Sequence, residues 1–281
     1  MQDITIKKNV LFGSHDDHVL TADYYGPQGP GKYPALVTVH GGAWKIGSSD
    51  AYQHWGPYLA KQGFVVFSVN YRLVQGVKNR YPAPVQDLRA AVQYLRSNPE
   101  EYQIDSDRIG LIGDSAGAHL SAIVALAGDA PAFSDAYQDD PYAGISTRVK
   151  VVVGVYGVYD LLEQWHHDQI ARPLDQITEN LLGKSPMQNK QIFYEGSPLT
   201  YTTLENNHTA FLVVWGTEDD IVNATSQSGV FVNALKQAGF YVRSVIVPGA
   251  PHFWMWDPID ENASHTAFLA PRLLRFLQER L

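Results

Sequence analysis

From Pro34 onward the chain carries a series of short, β-branched apolar runs: ALVTV, FVVFSVN, RIGLIG, VKVVVGVY, AFLVVWG and VRSVIVPG. Nearly continuous runs of this length are the signature of strands in a parallel sheet covered on both faces. Amphipathic stretches separate them, namely PVQDLRAAVQYLRS, AHLSAIVALAG, TSQSGVFVNALKQAG and the terminal TAFLAPRLLRFLQERL. Strand and helix therefore alternate, which predicts an α/β architecture with a mostly parallel central sheet flanked by helices. Ahead of Pro34, ITIKKNV and VLTADYY alternate apolar and polar residues and predict an antiparallel hairpin turned by SHDDH. The rhythm lapses at about 159–198, where LLEQWHHDQI, QITENLLG and KQIFYEGSPL suggest a small helical cap inserted into one domain spanning 1–281.

At 281 residues the chain can bury a substantial core. Its net charge of −8, with no Lys/Arg cluster, argues against a nucleic-acid or anionic-membrane partner. No apolar run approaches a membrane span. There are 0 cysteines, which excludes disulfides and thiolate chemistry and leaves the compartment open. The start, MQDITIKKNV, reads as lacking a signal peptide, although a mature chain with its leader removed would read the same. Oligomeric state is not legible.

The chemistry concentrates in RIGLIGDSAGAHLSAIVALAG, residues 108–128, where Ser115 stands between Gly113 and Gly117 at a strand-to-helix junction. G-x-S-x-G alone is a modest signal; the strand before it and the helix after it make it a sharp turn that lifts the hydroxyl above the sheet. The helix N-terminus also favours negative charge developing nearby. A serine needs a base to become a useful nucleophile. His252, in the aromatic loop VPGAPHFWMW after the last strand, lies where open α/β sheets bind ligands. His119 falls one turn beyond Ser115 and points away, and His265 belongs to the last helix, so neither is expected to matter for turnover. The histidine needs a carboxylate, and GTEDD offers Asp219 ahead of Asp220, with Asp160 a further candidate. Early in the chain, HGGAW supplies small residues whose N–H groups, those of Gly42 and Ala43 with that of Ala116, can hold an oxyanion. His40 reads as structural.

HGGAW, GDSAGAHLSA, GTEDD and APHFW, in that order, resemble the α/β-hydrolase superfamily of serine esterases, and within it hormone-sensitive-lipase-like carboxylesterases and bacterial acetylxylan and feruloyl esterases. The resemblance implies the α/β-hydrolase fold and Ser115, His252 and Asp219 as nucleophile, base and acid. It implies Gly42, Ala43 and Ala116 as oxyanion donors, and no cofactor or metal. The expected substrate is a short-chain or aromatic acyl ester, a small molecule or one linked to a polysaccharide. Gly-Gly-Ala-Trp also resembles arylformamidases, which keeps amide hydrolysis as an alternative. A non-catalytic binding protein on the same fold is disfavoured because every triad position is filled. Trp44, Trp254 and His166 are candidates for the substrate pocket, and SHDDH is expected to be an exposed turn rather than a metal site.

Overall fold

A computed structural model describes residues 3–281. Among them is an eight-stranded sheet of order β1-β2-β4-β3-β5-β6-β7-β8. Its strands are β1 (Ile4–His15), β2 (His18–Pro27), β3 (Tyr33–Val39), β4 (Val65–Val69), β5 (Ile104–Asp114), β6 (Val151–Val155), β7 (Ala210–Gly216) and β8 (Val242–Val247). β1 pairs antiparallel with β2, and β2 antiparallel with β4; every pairing from β4 to β8 is parallel. The helices are α1 (Trp55–Ala60), α2 (Ala83–Ser97), α3 (Pro99–Tyr102), α4 (Ala116–Ala127), α5 (Pro131–Ser134), α6 (Leu161–Ala171), α7 (Ile177–Leu182), α8 (Gln191–Glu195), α9 (Val230–Gln237) and α10 (His265–Arg280).

Because side chains alternate across a strand, each strand feeds two cores. Val37, Leu111, Val152 and Val213 pack with Leu88 of α2, Leu120 of α4 and Leu235 of α9. Leu36, Ile112, Val153 and Val214 face the other way, against Leu59 of α1 and Leu273 and Leu277 of α10. Double coverage explains why the central runs are apolar without a break. VRSVIVPG departs from that reading. β8 is an edge strand, and its Arg243, Ser244 and Ile246 are exposed.

SHDDH is only partly the open turn that its polarity suggests. Asp16 and Asp17, both at positive φ, form the tip, but His15 is 2% exposed. Its ring nitrogens meet Asp87 of α2 at 2.7 Å and Asp140 at 2.8 Å. Both partners lie far away in sequence, so the local pattern does not show this burial. No group of three or more acidic or histidine side chains suited to a metal occurs among the described residues, and none of their helices is long and apolar enough to cross a membrane.

Candidate active site

Ser115 closes β5 and opens α4 with φ 50° and ψ −117°, a conformation that costs roughly 1–3 kcal/mol for an L-residue. Its surroundings hold it there: the Ser115 N–H donates to Val155 O at 2.9 Å. The flanking glycines are needed for closeness. A Cβ at Gly117 would stand 1.9 Å from Val39 O, and one at Gly113 would stand 2.3 Å from the Gly117 backbone. α4 can thus start directly against the sheet, with the serine pushed to its edge.

His252 follows β8 and reaches Ser115 Oγ through Nε2 at 3.0 Å. Its Nδ1 meets Asp219 Oδ2 at 2.7 Å. The other oxygen of Asp219 accepts the N–H groups of Ile221 at 3.0 Å and Val222 at 2.9 Å, so the carboxylate is fixed at both ends. Asp220 is exposed and meets His167 only through its backbone oxygen. Asp160 caps α6 by accepting from Leu162 and Glu163. Of the three carboxylates, Asp219 is the one that meets the His252 ring. With the Ser115 hydroxyl donating to Nε2 and Nδ1–H donating to Asp219, the arrangement can move a proton off Ser115 and stabilise the resulting imidazolium.

The loop after β3 turns on Gly42 at φ 106°, where a Cβ would meet Ile46 O at 2.2 Å. Ala43 follows, also at positive φ. The N–H groups of Gly42, Ala43 and Ala116 donate to no acceptor among the described residues, which leaves them available to an incoming oxygen. His40 is structural: Nδ1–H donates to Gly41 O at 2.7 Å and its ring stacks on Tyr71. Burial pushes its pKa down to about 4, so it remains neutral.

The pocket candidates need correction. Trp44 is 0% exposed and its Nε1–H donates to His119 Nδ1 at 3.2 Å. Trp254 is 1% exposed and packs edge-on to Tyr156. Trp44 packs in one hydrophobic core and Trp254 in the other. His166 lies exposed on α6 against Trp165, and none of its contacts among the described residues reaches Ser115, Asp219 or His252. His119 is 0% exposed, and its Nε2–H donates to Gly196 O at 2.8 Å. Burial pushes its pKa down to about 4, fixing it as a neutral bridge. His265 sits at the start of α10 near Trp254, away from the serine.

Sequence reasoning missed Asp114, although it stands inside GDSAG. It is 0% exposed and accepts from Gly41 N at 3.1 Å, Tyr52 OH at 3.0 Å, Trp256 Nε1 at 3.0 Å and Tyr156 OH at 3.5 Å. Burial pushes its pKa up to about 6, against the pull of these hydrogen bonds and of His252. Only the fold reveals how many loops converge on it.

A model of the family described as BD-FAE matches residues 22–235. Esterase LipC of Mycobacterium tuberculosis is 32% identical over 253 residues, covering 88% of this chain and 59% of that protein. The chain spans between 46% and 59% of the length of the first curated relatives it matches. A solved structure described as the truncated form of a carbohydrate esterase from gut microbiota superposes with TM-score 0.78 at 26% identity, over 98% of this chain and 95% of that one. A bifunctional acetyl ester-xyloside hydrolase from Caldicellulosiruptor lactoaceticus shares the fold, with TM-score 0.76 at 21% identity over 93% and 87% of the two chains. The fold is that of the α/β-hydrolases.

Proposed function

Since the chain belongs to the BD-FAE family, we propose that it is a serine carboxylic-ester hydrolase working through an acyl-enzyme. The observation that carries this reading is the continuous Ser115–His252–Asp219 hydrogen-bond chain, at 3.0 and 2.7 Å. Ser115 Oγ attacks the ester carbonyl while its proton passes to His252 Nε2, and Asp219 holds the imidazolium. The N–H groups of Gly42, Ala43 and Ala116 take the negative charge of the tetrahedral intermediate. His252 then returns the proton to the departing alcohol, and water, deprotonated by the same imidazole, frees the acid. No cofactor enters the scheme.

The substrate class is a short-chain or aromatic acyl ester, with acetyl or feruloyl esters of plant polysaccharides foremost. The similarity to a protein described as a carbohydrate esterase supports it. Residues 159–198 act as a cap within one domain and contribute to acyl and alcohol preference. Support comes from Gln164 of α6, which donates to Ile221 O at 3.0 Å, beside the loop that holds Asp219.

Ser115→Ala is expected to lower p-nitrophenyl acetate turnover by roughly 10⁴-fold or more while leaving thermal unfolding intact. Undiminished turnover in a folded variant would refute the assignment. Comparing kcat/KM for methyl ferulate, p-nitrophenyl acetate and N-formylkynurenine tests the class. A clear preference for the formamide would replace the esterase reading with an arylformamidase.

A further inference from the structure

His252, Phe253 and Trp254 place three successive aromatic rings around one backbone turn, and the turn separates them. His252 and Trp254 are 5% and 1% exposed, whereas Phe253 between them is 51% exposed. The inversion is made by Phe253 itself, which sits at φ 62°. A bulky residue in the left-handed region is an outlier that glycine or asparagine would occupy at less cost. Its side chain belongs to neither hydrophobic core. The fold therefore gains little from a phenyl group here. What the phenyl does contact is His252, edge to face, with centroids 4.4 Å apart and planes at 85°.

The imidazole is flanked by two rings among the described residues. Tyr156 lies 4.4 Å away on the inner side and is 0% exposed, so no substrate touches it. Phe253 is the flank with open surface. As the tetrahedral intermediate collapses, the carbon–oxygen bond to the alcohol breaks, the electron pair leaves with that oxygen, and the proton on Nε2 passes to it. The leaving oxygen must then stand within hydrogen-bond reach of Nε2, about 2.6–3.2 Å. Its attached carbons lie beside whatever covers the outer flank of the imidazole.

We propose that Phe253 is a specificity-determining contact for the alcohol portion of the ester, favouring leaving groups with a flat apolar face. An aryl ring and the CH face of a pyranose both meet that description. The inference rests on the serine-esterase reading and adds to it the side of the substrate that this loop selects.

The test holds the acyl group fixed and varies the alcohol: ethyl acetate, phenyl acetate and a monoacetylated methyl xyloside. Phe253→Asn removes the ring while suiting the left-handed backbone, and Phe253→Trp keeps a flat face. Intrinsic leaving ability cancels when each ratio to ethyl acetate is compared between variant and wild type. In Phe253→Asn at least one kcat/KM ratio, aryl or xyloside, is expected to fall roughly fivefold, the size of one aromatic contact. Phe253→Trp should preserve it. A fall in the aryl ratio alone identifies an aryl alcohol, a fall in the xyloside ratio alone identifies a sugar, and both identify the shared flat face. The relative rates of p-nitrophenyl acetate, butyrate and hexanoate should keep their order. Equal losses for all three acetates, or unchanged ratios, overturn this inference alone. A wild-type chain that cleaves none of them overturns the esterase reading as well.

Discussion

Asp114 shares the neighbourhood of His252 with Asp219 and sits in a different electrostatic position. Asp219 is bonded to the imidazole, whereas Asp114 makes no ion pair among the described residues and is held by Gly41, Tyr52, Trp256 and Tyr156. Those donors come from the loop after β3, the segment before α1, the histidine loop and the end of β6. Its carboxyl is pushed up to about 6 by burial. In the unfolded chain an aspartate titrates near 3.9, so as pH falls through about 6 the folded state binds a proton before the unfolded state does. Acid therefore relieves a stability burden at Asp114 while it removes acceptor capacity from the loop carrying Gly42 and Ala43. Activity and this contribution to stability should move in opposite directions below pH 6. Asp114→Asn keeps the shape and turns an amide toward groups that also donate. Its kcat is expected to fall roughly tenfold or more, with KM nearly unchanged, since the lost contact positions donors for the transition state rather than binding substrate. An unchanged kcat, or a loss confined to KM, would deny it a positioning role.

α4 does more than aim its N-terminus at the serine. One turn along, His119 receives the Trp44 indole N–H and gives its own to Gly196, so one buried imidazole joins the loop after β3, α4 and the segment after α8. His119→Ala would leave an indole N–H and a backbone carbonyl without partners in the core. Each such orphan costs about 1–3 kcal/mol, so a loss of at least about 2 kcal/mol in denaturant unfolding is expected. Turnover should fall with it as Trp44 loosens the loop bearing Gly42 and Ala43. A fully active variant of wild-type stability would make the bridge incidental. This element also marks where reading from sequence stops. That Ser115, His252 and Asp219 come together was legible because strand ends carry motifs with local chemistry. The apolar runs were legible because double burial leaves a compositional trace. Whether an aromatic faces the core was not: Trp44 turns inward because His119 accepts its N–H from 75 residues away. Phe253 turns outward through a backbone angle that composition does not encode.

At the scale of the molecule, the antiparallel hairpin is the part of the sheet farthest from the triad, joined to the rest through β2 and β4. Its tip is fastened by charge. His15 lies between Asp87 and Asp140 and stacks on Tyr137 at 3.8 Å. Arg72 bonds Asp87, Asp16 and Tyr137 from the strand side. Both ring nitrogens of His15 face carboxylates, and satisfying both requires both to carry protons. Burial works against that charge, and the hydrogen bonds to Asp87 and Asp140 outweigh it, holding the His15 pKa above its usual value. A raised histidine stabilises the fold fully below its unfolded pKa, near 6.5, and that contribution disappears as pH rises through the folded value. The hairpin tip and the segment around Asp140 should then loosen together in alkali. Amide exchange at residues 12–20 and 136–145, corrected for the intrinsic pH dependence of exchange, is expected to quicken as pH rises beyond the folded pKa. The flank of the sheet at β6 and β7 should remain unchanged. His15→Gln retains polar contacts to both sides without a titrating charge, so its protection should be lower than wild type at pH 6 and lose this pH dependence. Equal pH dependence in the variant would assign the loosening to Tyr137 instead, the phenol that bonds Asp16 and Arg72.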